Sequence, residues 1–322
     1  MEKNVLENDR TEDEVLTVKL WGTRGSCAAP FPNRMTYGGN TSCISVHWKE
    51  GIVVFDAGTG ILALGQWLIE QQKQKAQAVF PPIYLFISHL HLDHVLGLPL
   101  FPLLFYPGVQ IHIYGPGGKE RSFRQYLTAL LSPPYWPVSV GQVPASVTWH
   151  EADGKESWEL LGHVRVSTMP SYHPDNCILF RLQQGTQSIV YGLDCEFPET
   201  KASEPESPVW TAYKTFAHQC SLLIFDAPYT KEEYPSYRGF GHSDWEKAVQ
   251  MAQECQTSHL CICHHNWDRS DQELAQIEQN LKRSAQKAGV IAEMGREGRT
   301  IALANTKLEE KPNKYYAGEE SK

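Results

Sequence analysis

The chain reads as an α/β protein in which two β-sheets are flanked by outer helices. Three observations predict this. Short apolar runs with strand composition recur along the 322 residues. Segments with apolar residues three and four apart fall between them, and each half gathers several strands, some as hairpins, before its helices. A doubly wound parallel sheet would alternate strand and helix strictly, so two layered sheets fit the order better. With 41% hydrophobic and 20% charged residues the chain can bury a sizeable core, which excludes disorder and collagen-like structure.

Taken in order, VKLWG (18–22), CISVHW (43–48) and GIVVFDAG (51–58) predict early strands, and ILALGQWLIEQQKQ (61–74) a helix. IYLFIS (83–88) and VQIHIYG (109–115) predict further strands, with KERSFRQYLTALL (119–131) helical after them. The second half offers HVRVSTM (163–169), CILFRL (177–182), SIVYGLD (188–194), SLLIFDA (221–227) and HLCICH (259–264) as strands. Its helices are predicted at 243–255 and 270–286, each opening on a Ser-Asp pair that can cap it. SPPYWPVSVGQVP (132–144) sits between the halves as a linker or a semi-rigid flap near a site. Residues 1–16 and 306–322 lack core-forming runs and predict polar tails around one unit spanning 17–305.

Lys plus Arg number 29 against 37 Asp plus Glu, a net charge of −8, and half of that excess lies in residues 1–16. A broad basic surface for a large nucleic acid is therefore not expected. Eight scattered Cys, an N-terminus without an apolar core and apolar runs broken by Gly and Pro predict a cytoplasmic protein without membrane spans. The aromatics Tyr135, Trp136, Tyr234 and Tyr237 are expected at the surface, where they could cover substrate or form a homodimer interface.

The segment Ser88-His89-Leu90-His91-Leu92-Asp93-His94 follows an apolar strand and carries three of the chain's 13 His with an Asp between them. Imidazoles and a carboxylate at a strand end can be splayed by a loop onto one point, as a metal site requires.

This H-x-H-x-D-H run resembles the signature of the metallo-β-lactamase fold superfamily, and other motifs of that family follow in order. Asp56 in FDAGTG resembles the supporting Asp of the first motif, His173 in SYHPDN the third-motif His, Asp194 in SIVYGLD the bridging Asp, and His264 in HLCICHH the final His. The resemblance implies a four-layer αβ/βα sandwich of two mixed sheets with two divalent cations at one edge. Zn²⁺ is the first choice, Mn²⁺ or Fe the alternates. It assigns His89, His91 and His173 to one ion, Asp93, His94 and His264 to the other, and Asp194 to both, with a shared hydroxide as nucleophile. His265 competes with His264, because only one of two adjacent strand residues can face the site; register with the apolar strand favours His264.

HVLGLPLF after the metal loop, Asp226 in SLLIFDAPYT and His242 in GFGHSDW are similar to the branch containing tRNase Z and related phosphodiesterases. They imply Asp226, His242 and the metal-loop Asp93 as the catalytic group, His242 assisting the leaving oxygen with Asp226 behind it. Alternatively, Asp226 merely ends a strand and His242 is incidental. Arg24 in WGTRGS is a substrate candidate, while Gly38 and Gly39 read as a turn. No long basic Gly/Pro-rich arm like that of tRNase Z is visible. A small phosphodiester, such as a cyclic nucleotide or short oligonucleotide, is accordingly the expected substrate. Carboxylic ester, thioester or lactam hydrolysis on the same metal site, or a non-hydrolytic di-iron sensor or binding protein, are the alternatives.

Overall fold

Every apolar run predicted as a strand forms one in the computed structural model, which describes residues 15–75, 79–197, 207–303 and 310–311. The strands are β1 (Leu16–Gly22), β2 (Cys43–Trp48), β3 (Gly51–Phe55), β4 (Ile83–Phe86), β5 (Gln110–Pro116), β6 (Ser146–Ala152), β7 (Ser157–Leu160), β8 (Val164–Pro170), β9 (Ile178–Gln184), β10 (Gln187–Gly192), β11 (Leu222–Asp226), β12 (His259–Cys263), β13 (Ile291–Met294), β14 (Thr300–Leu303) and β15 (Glu310–Lys311). Hydrogen bonding sorts them into one sheet of order β15-β14-β1-β2-β3-β4-β5-β6 and a second of order β13-β12-β11-β10-β9-β8-β7. Both sheets are mixed. The β2–β3 pair is an antiparallel hairpin, whereas β3 through β6 and β10 through β13 run parallel.

Parallel neighbours need crossovers, and helices supply them on the outer faces. They are α1 (Ile61–Lys75), α2 (Leu92–Val95), α3 (Phe123–Leu130), α4 (Pro208–Phe216), α5 (Trp245–Glu254) and α6 (Asp271–Ala288). Three apolar layers result: Phe55, Phe86, Phe180 and Tyr191 fill the space between the sheets, Leu64, Phe101 and Phe123 pack under α1 and α3, and Trp245, Met251 and Leu281 pack under α5 and α6. Helix, sheet, sheet, helix is the four-layer sandwich that the resemblance implies.

The helix ends follow local chemistry. Ser122 and Ser270 form reciprocal capping boxes with Gln125 and Glu273, and Gly289 closes α6 at φ 73°. At α5 the cap is Asp244, because the Ser243 hydroxyl donates to the Cys195 carbonyl at 2.8 Å instead.

Several elements were not predicted. β6 and β7 are half-exposed edge strands, and β13, β14 and α4 are short, so none shows a full period of apolar residues. Most of the predicted tails lies outside the described residues. Glu310 and Lys311 nevertheless pair with Ile301 and Thr300, since main-chain bonding does not require apolar side chains. The largest departure concerns connectivity: the chain returns after β13 to place β14 beside β1, so the first sheet draws on both ends of the sequence.

Candidate metal centre

Because β3, β4, β10, β11 and β12 all run parallel to a neighbour, their carboxyl ends emerge at one edge, where ligand-binding loops of open α/β sheets collect. Asp56, His89, Asp194, Asp226 and His264 all follow or end these strands. Asp56, Asp194 and His264 adopt φ of 60°, 59° and 59°, a left-handed conformation uncommon outside glycine. It turns each side chain out of its strand's pleat, and such conformations persist where the surroundings over-determine them.

Asp56 is fully buried and holds the metal loop from behind. Its carboxylate accepts from the Ser88 amide at 2.7 Å, the Ser88 hydroxyl at 2.8 Å, His94 Nδ1 at 2.6 Å and the Tyr191 hydroxyl at 2.6 Å. Tying His94 Nδ1 in this way directs its Nε2 inward.

Two constellations form there. His89, His91, His173 and Asp194 offer ligand atoms within 4.8 Å of one another, as do Asp93, His94 and His264. His89 Nε2 lies 3.3 Å and His94 Nε2 3.2 Å from Asp194 Oδ2, and His264 Nε2 lies 3.1 Å from Asp93 Oδ2 and 3.3 Å from Asp194 Oδ1. His173 Nε2 is 3.2 Å from His91 Nδ1. The donor set fits a cation. Ligand atoms sharing one ion at about 2.1 Å stand roughly 3.4 Å apart in a tetrahedral shell. Among the described residues, His89 Nε2, His94 Nε2 and Asp194 Oδ1 are buried without a hydrogen-bond partner, an arrangement that is costly unless something else satisfies them.

Electrostatics place positive charge in the cluster: despite burial, Asp93, Asp194 and Asp56 raise His94 well above its ordinary pKa, so a cation bound there would take the place of that proton. Burial, reinforced by His94, holds His89 well below its ordinary pKa, which leaves a neutral imidazole lone pair. Burial opposes ionisation of Asp93 and Asp194, but the His94 and His264 imidazoles outweigh it and hold both carboxyls well below the usual range.

His265 points away: its Nε2 donates to the Gly295 carbonyl at 2.7 Å, and burial lowers its pKa to about 3. His242 and Asp226 are hydrogen-bonded at 2.7 Å. Distance alone also groups these two with Asp194 and His264 as ligand-capable, although their mutual bond already engages Nδ1 and Oδ2. The His242 ring stacks 4.8 Å from that of His264, and its side chain is 12% exposed, so it borders the centre and can be reached. Despite burial, its bond to Asp226 raises its pKa.

Some expected placements fail. Arg24 is fully buried, and its guanidinium donates to the carbonyls of Gly38, Asn266, Arg269 and Arg34, so it staples loops and cannot meet substrate. Tyr234 is buried as well, against expectation, whereas Tyr135 is exposed. Residues 132–144 help line a cavity against α3 and β6, among residues that include none of the metal-loop groups. Glu196 escaped notice in the sequence. Its buried carboxylate accepts from the Tyr234 hydroxyl at 2.7 Å and from the amides of Gly239 and Gly241 at 2.9 Å, fixing the loop that carries His242. The Gly241 carbonyl in turn accepts from His173 Nδ1 at 2.9 Å, and a Cβ at Gly241 would lie 2.1 Å from that nitrogen. Only its spacing two residues after Asp194 hinted at a role.

Residues 52–265 match the family model described as the beta-lactamase superfamily domain. The chain belongs to that superfamily. It is 29% identical over 281 residues to ribonuclease Z of Natronomonas pharaonis, covering 77% of this chain and 86% of the relative. Among solved structures, unliganded yeast PDE1 superposes with a TM-score of 0.64 at 12% identity, covering 89% of this chain and 99% of PDE1. The short form of human tRNase Z gives 0.56 at 18% identity, covering 90% of this chain and 100% of that one. The protein is a metallo-β-lactamase-fold, metal-dependent hydrolase related to ribonuclease Z.

That kinship overturns one expectation, the absence of a large nucleic-acid surface, since its relative is a ribonuclease and its structural neighbour a tRNase. Net charge misled there. It sums the whole chain, half of its excess lies in residues 1–16, and recognition of a polyanion depends on local charge. Among the described residues no helix is long and apolar enough to cross a membrane.

Proposed function

We propose that this protein is a phosphodiesterase that hydrolyses nucleotide phosphodiesters, RNA included, at a pair of divalent cations, with Zn²⁺ preferred for an imidazole-rich donor set. The observation that carries this reading is the His242–Asp226 pair, set against the ligand cluster but bonded to itself. His89, His91 and His173 would hold one ion, Asp93, His94 and His264 the other, and Asp194 both. When bound, such a pair supplies a water acidic enough to attack at neutral pH and neutralises charge on the phosphoryl oxygens.

The chain's own residues supply the rest. Asp56 orients His94, and the Ser26 amide donates to Asp93 Oδ2 at 2.7 Å, which fixes that carboxylate. His242, with Nδ1 held by Asp226 and its protonated form favoured, gives a proton from Nε2 to the leaving oxygen. Acyl transfer would need an oxyanion site and leaves this pair without a task. Residues 17–305 are read as one hydrolase domain, supported by the core shared between the sheets.

The test is hydrolysis of bis(p-nitrophenyl) phosphate, 3′-extended RNA and cyclic nucleotides by metal-quantified protein, with a chelator control. Chelator-sensitive turnover at about two metals per chain is expected. Full metal occupancy with turnover only of carboxylic esters, thioesters or lactams would overturn the reading, as would iron with visible absorbance and no hydrolysis.

A further inference from the structure

Away from the metal edge, a cavity of about 690 Å³ opens on the outer face of the first sheet beside α1, within the size range of small-molecule sites. Ile52 near the start of β3 and Pro81 just before β4 place it at the amino ends of the parallel strands, whereas the metal-ligand candidates stand at their carboxyl ends. Thr17, Lys19 and His47 supply its floor, Trp67, Leu68 and Gln71 of α1 one wall, and Phe80 part of the rim.

Leu16, Val18 and Leu20 alternate inward to the core between the sheets, which turns Thr17 and Lys19 outward. Across the ladder Lys19 stands between Thr300 and Ser45, and Thr17 between Ala302 and His47. These two rows across three strands carry a Lys and no carboxylate, on a chain with more acids than bases. Lys49 adds a second cation to the lining. Glu50 and Glu70, adjacent in sequence to lining residues, do not line the cavity. The Glu50 carboxylate rests instead against the turn before β8, where a Cβ at Gly162 would lie 2.4 Å from its oxygen.

Lys19 is half-buried, its Nζ 4.8 Å from the Trp67 ring centre and donating to Thr300 Oγ1 at 3.0 Å. It has no ion pair among the described residues, and burial lowers its pKa with no carboxylate opposing. A half-buried ammonium balanced by a ring face and a hydroxyl alone is short of negative charge. The walls around it are fixed before any ligand arrives. The Trp67 ring packs 5.5 Å from Trp21 and 5.3 Å from His47, and Gln72 Nε2 donates to the Val79 carbonyl at 2.8 Å, tying α1 to the rim. The Thr17 hydroxyl and the Gln71 amide have no hydrogen bond among the described residues, which leaves both for a ligand's polar atoms.

A molecule that satisfies this set brings a negative charge to the ammonium groups and a flat apolar ring to Trp67, Leu68 and Phe80. We propose that this cavity is a second ligand site, separate from the metal edge, which takes a small aromatic carboxylate with its carboxylate on Lys19 and its ring against Trp67. Such a site is independent of what the metal edge hydrolyses.

Calorimetry on the metal-loaded full chain compares 2-naphthoate with the uncharged 2-naphthalenemethanol. The wild type is set beside Lys19→Gln, Lys19→Arg and Trp67→Leu proteins matched for metal content and thermal melting. The expected result is one naphthoate per chain, bound about tenfold or more tightly than the alcohol, the scale of one charge-assisted hydrogen bond. Lys19→Gln should abolish that preference, Lys19→Arg should keep it, and Trp67→Leu should weaken both ligands. If Trp67→Leu fails to fold, the contrast between Lys19→Gln and Lys19→Arg decides. No naphthoate binding to the wild type overturns the site, as does equal affinity for acid and alcohol. Naphthoate binding that ignores Lys19→Gln puts the carboxylate elsewhere, the metal cations included, and overturns it too.

Discussion

Asp56 and Asp226 are both wholly buried, have no Lys or Arg partner among the described residues, and each uses its oxygens to aim an imidazole. Such a carboxylate acts through its neighbour, so the neighbour's loss is the informative experiment. His242→Ala should retain both metals, measured by elemental analysis, and lose roughly 10²–10³ in phosphodiesterase turnover, the scale of one general acid or charge-stabilising group. Asp194→Ala should lower metal content and turnover together. Glu297 offers a test away from the centre. Burial pushes its carboxyl from 4.5 up to about 7, against its bonds to Asn40. A carboxyl whose pKa is higher folded than unfolded adds stability below about 4.5, and that increment is lost as pH rises through about 7. Glu297→Gln should therefore gain in Tm relative to the wild type between pH 5 and pH 8, and thermal melts across that window check the sign. At this scale the sequence was most readable for His and Asp in a tight motif. Motif order brought Asp56, His173, Asp194 and His264 forward as candidates, whereas Glu196 had no motif to mark it and Arg24 was misread because burial is a property of the fold.

Among the elements, the loop from Tyr234 to His242 depends most on a single side chain. Gly239 and Gly241, at φ 88° and 87°, let two amides converge on one Glu196 carboxylate that also takes the Tyr234 hydroxyl. Glu196→Gln replaces one acceptor oxygen with a donor facing N–H groups. The loop should then loosen at both histidines it positions. The expected outcome is a drop of about tenfold or more in metal affinity, measured by chelator competition, from the loss of His173 orientation, together with an altered pH–rate profile from His242. A purely structural role would lower Tm and leave the profile in place. Long periodic helices were legible to within a few residues, since α1, α5 and α6 bury whole faces. The edge strands β6 and β7 were not, because a strand exposed on one face and short in length carries too little apolar alternation to be distinguished from a loop.

For the whole molecule, two sheets under outer helices could be read from strands gathered before helices in each half, but partner size could not be read from summed charge. Nor was the crossing of the chain back to β1 foreseeable, since β14 is four residues long and pairs with a strand at the far end of the sequence. That crossing places Leu303 opposite Leu16, while the two sheets are joined by the short turn between Ala152 and Ser157. A circular permutant that links residues near 16 and 303, giving up β15, and opens at that turn would make the remaining strands of each sheet contiguous along the chain. Its contact order would fall with the surfaces intact, so refolding should be faster than in the natural order while unfolding changes little, as paired stopped-flow measurements would reveal. The thread that closes the first sheet would then set how quickly the metal edge assembles, not how it works.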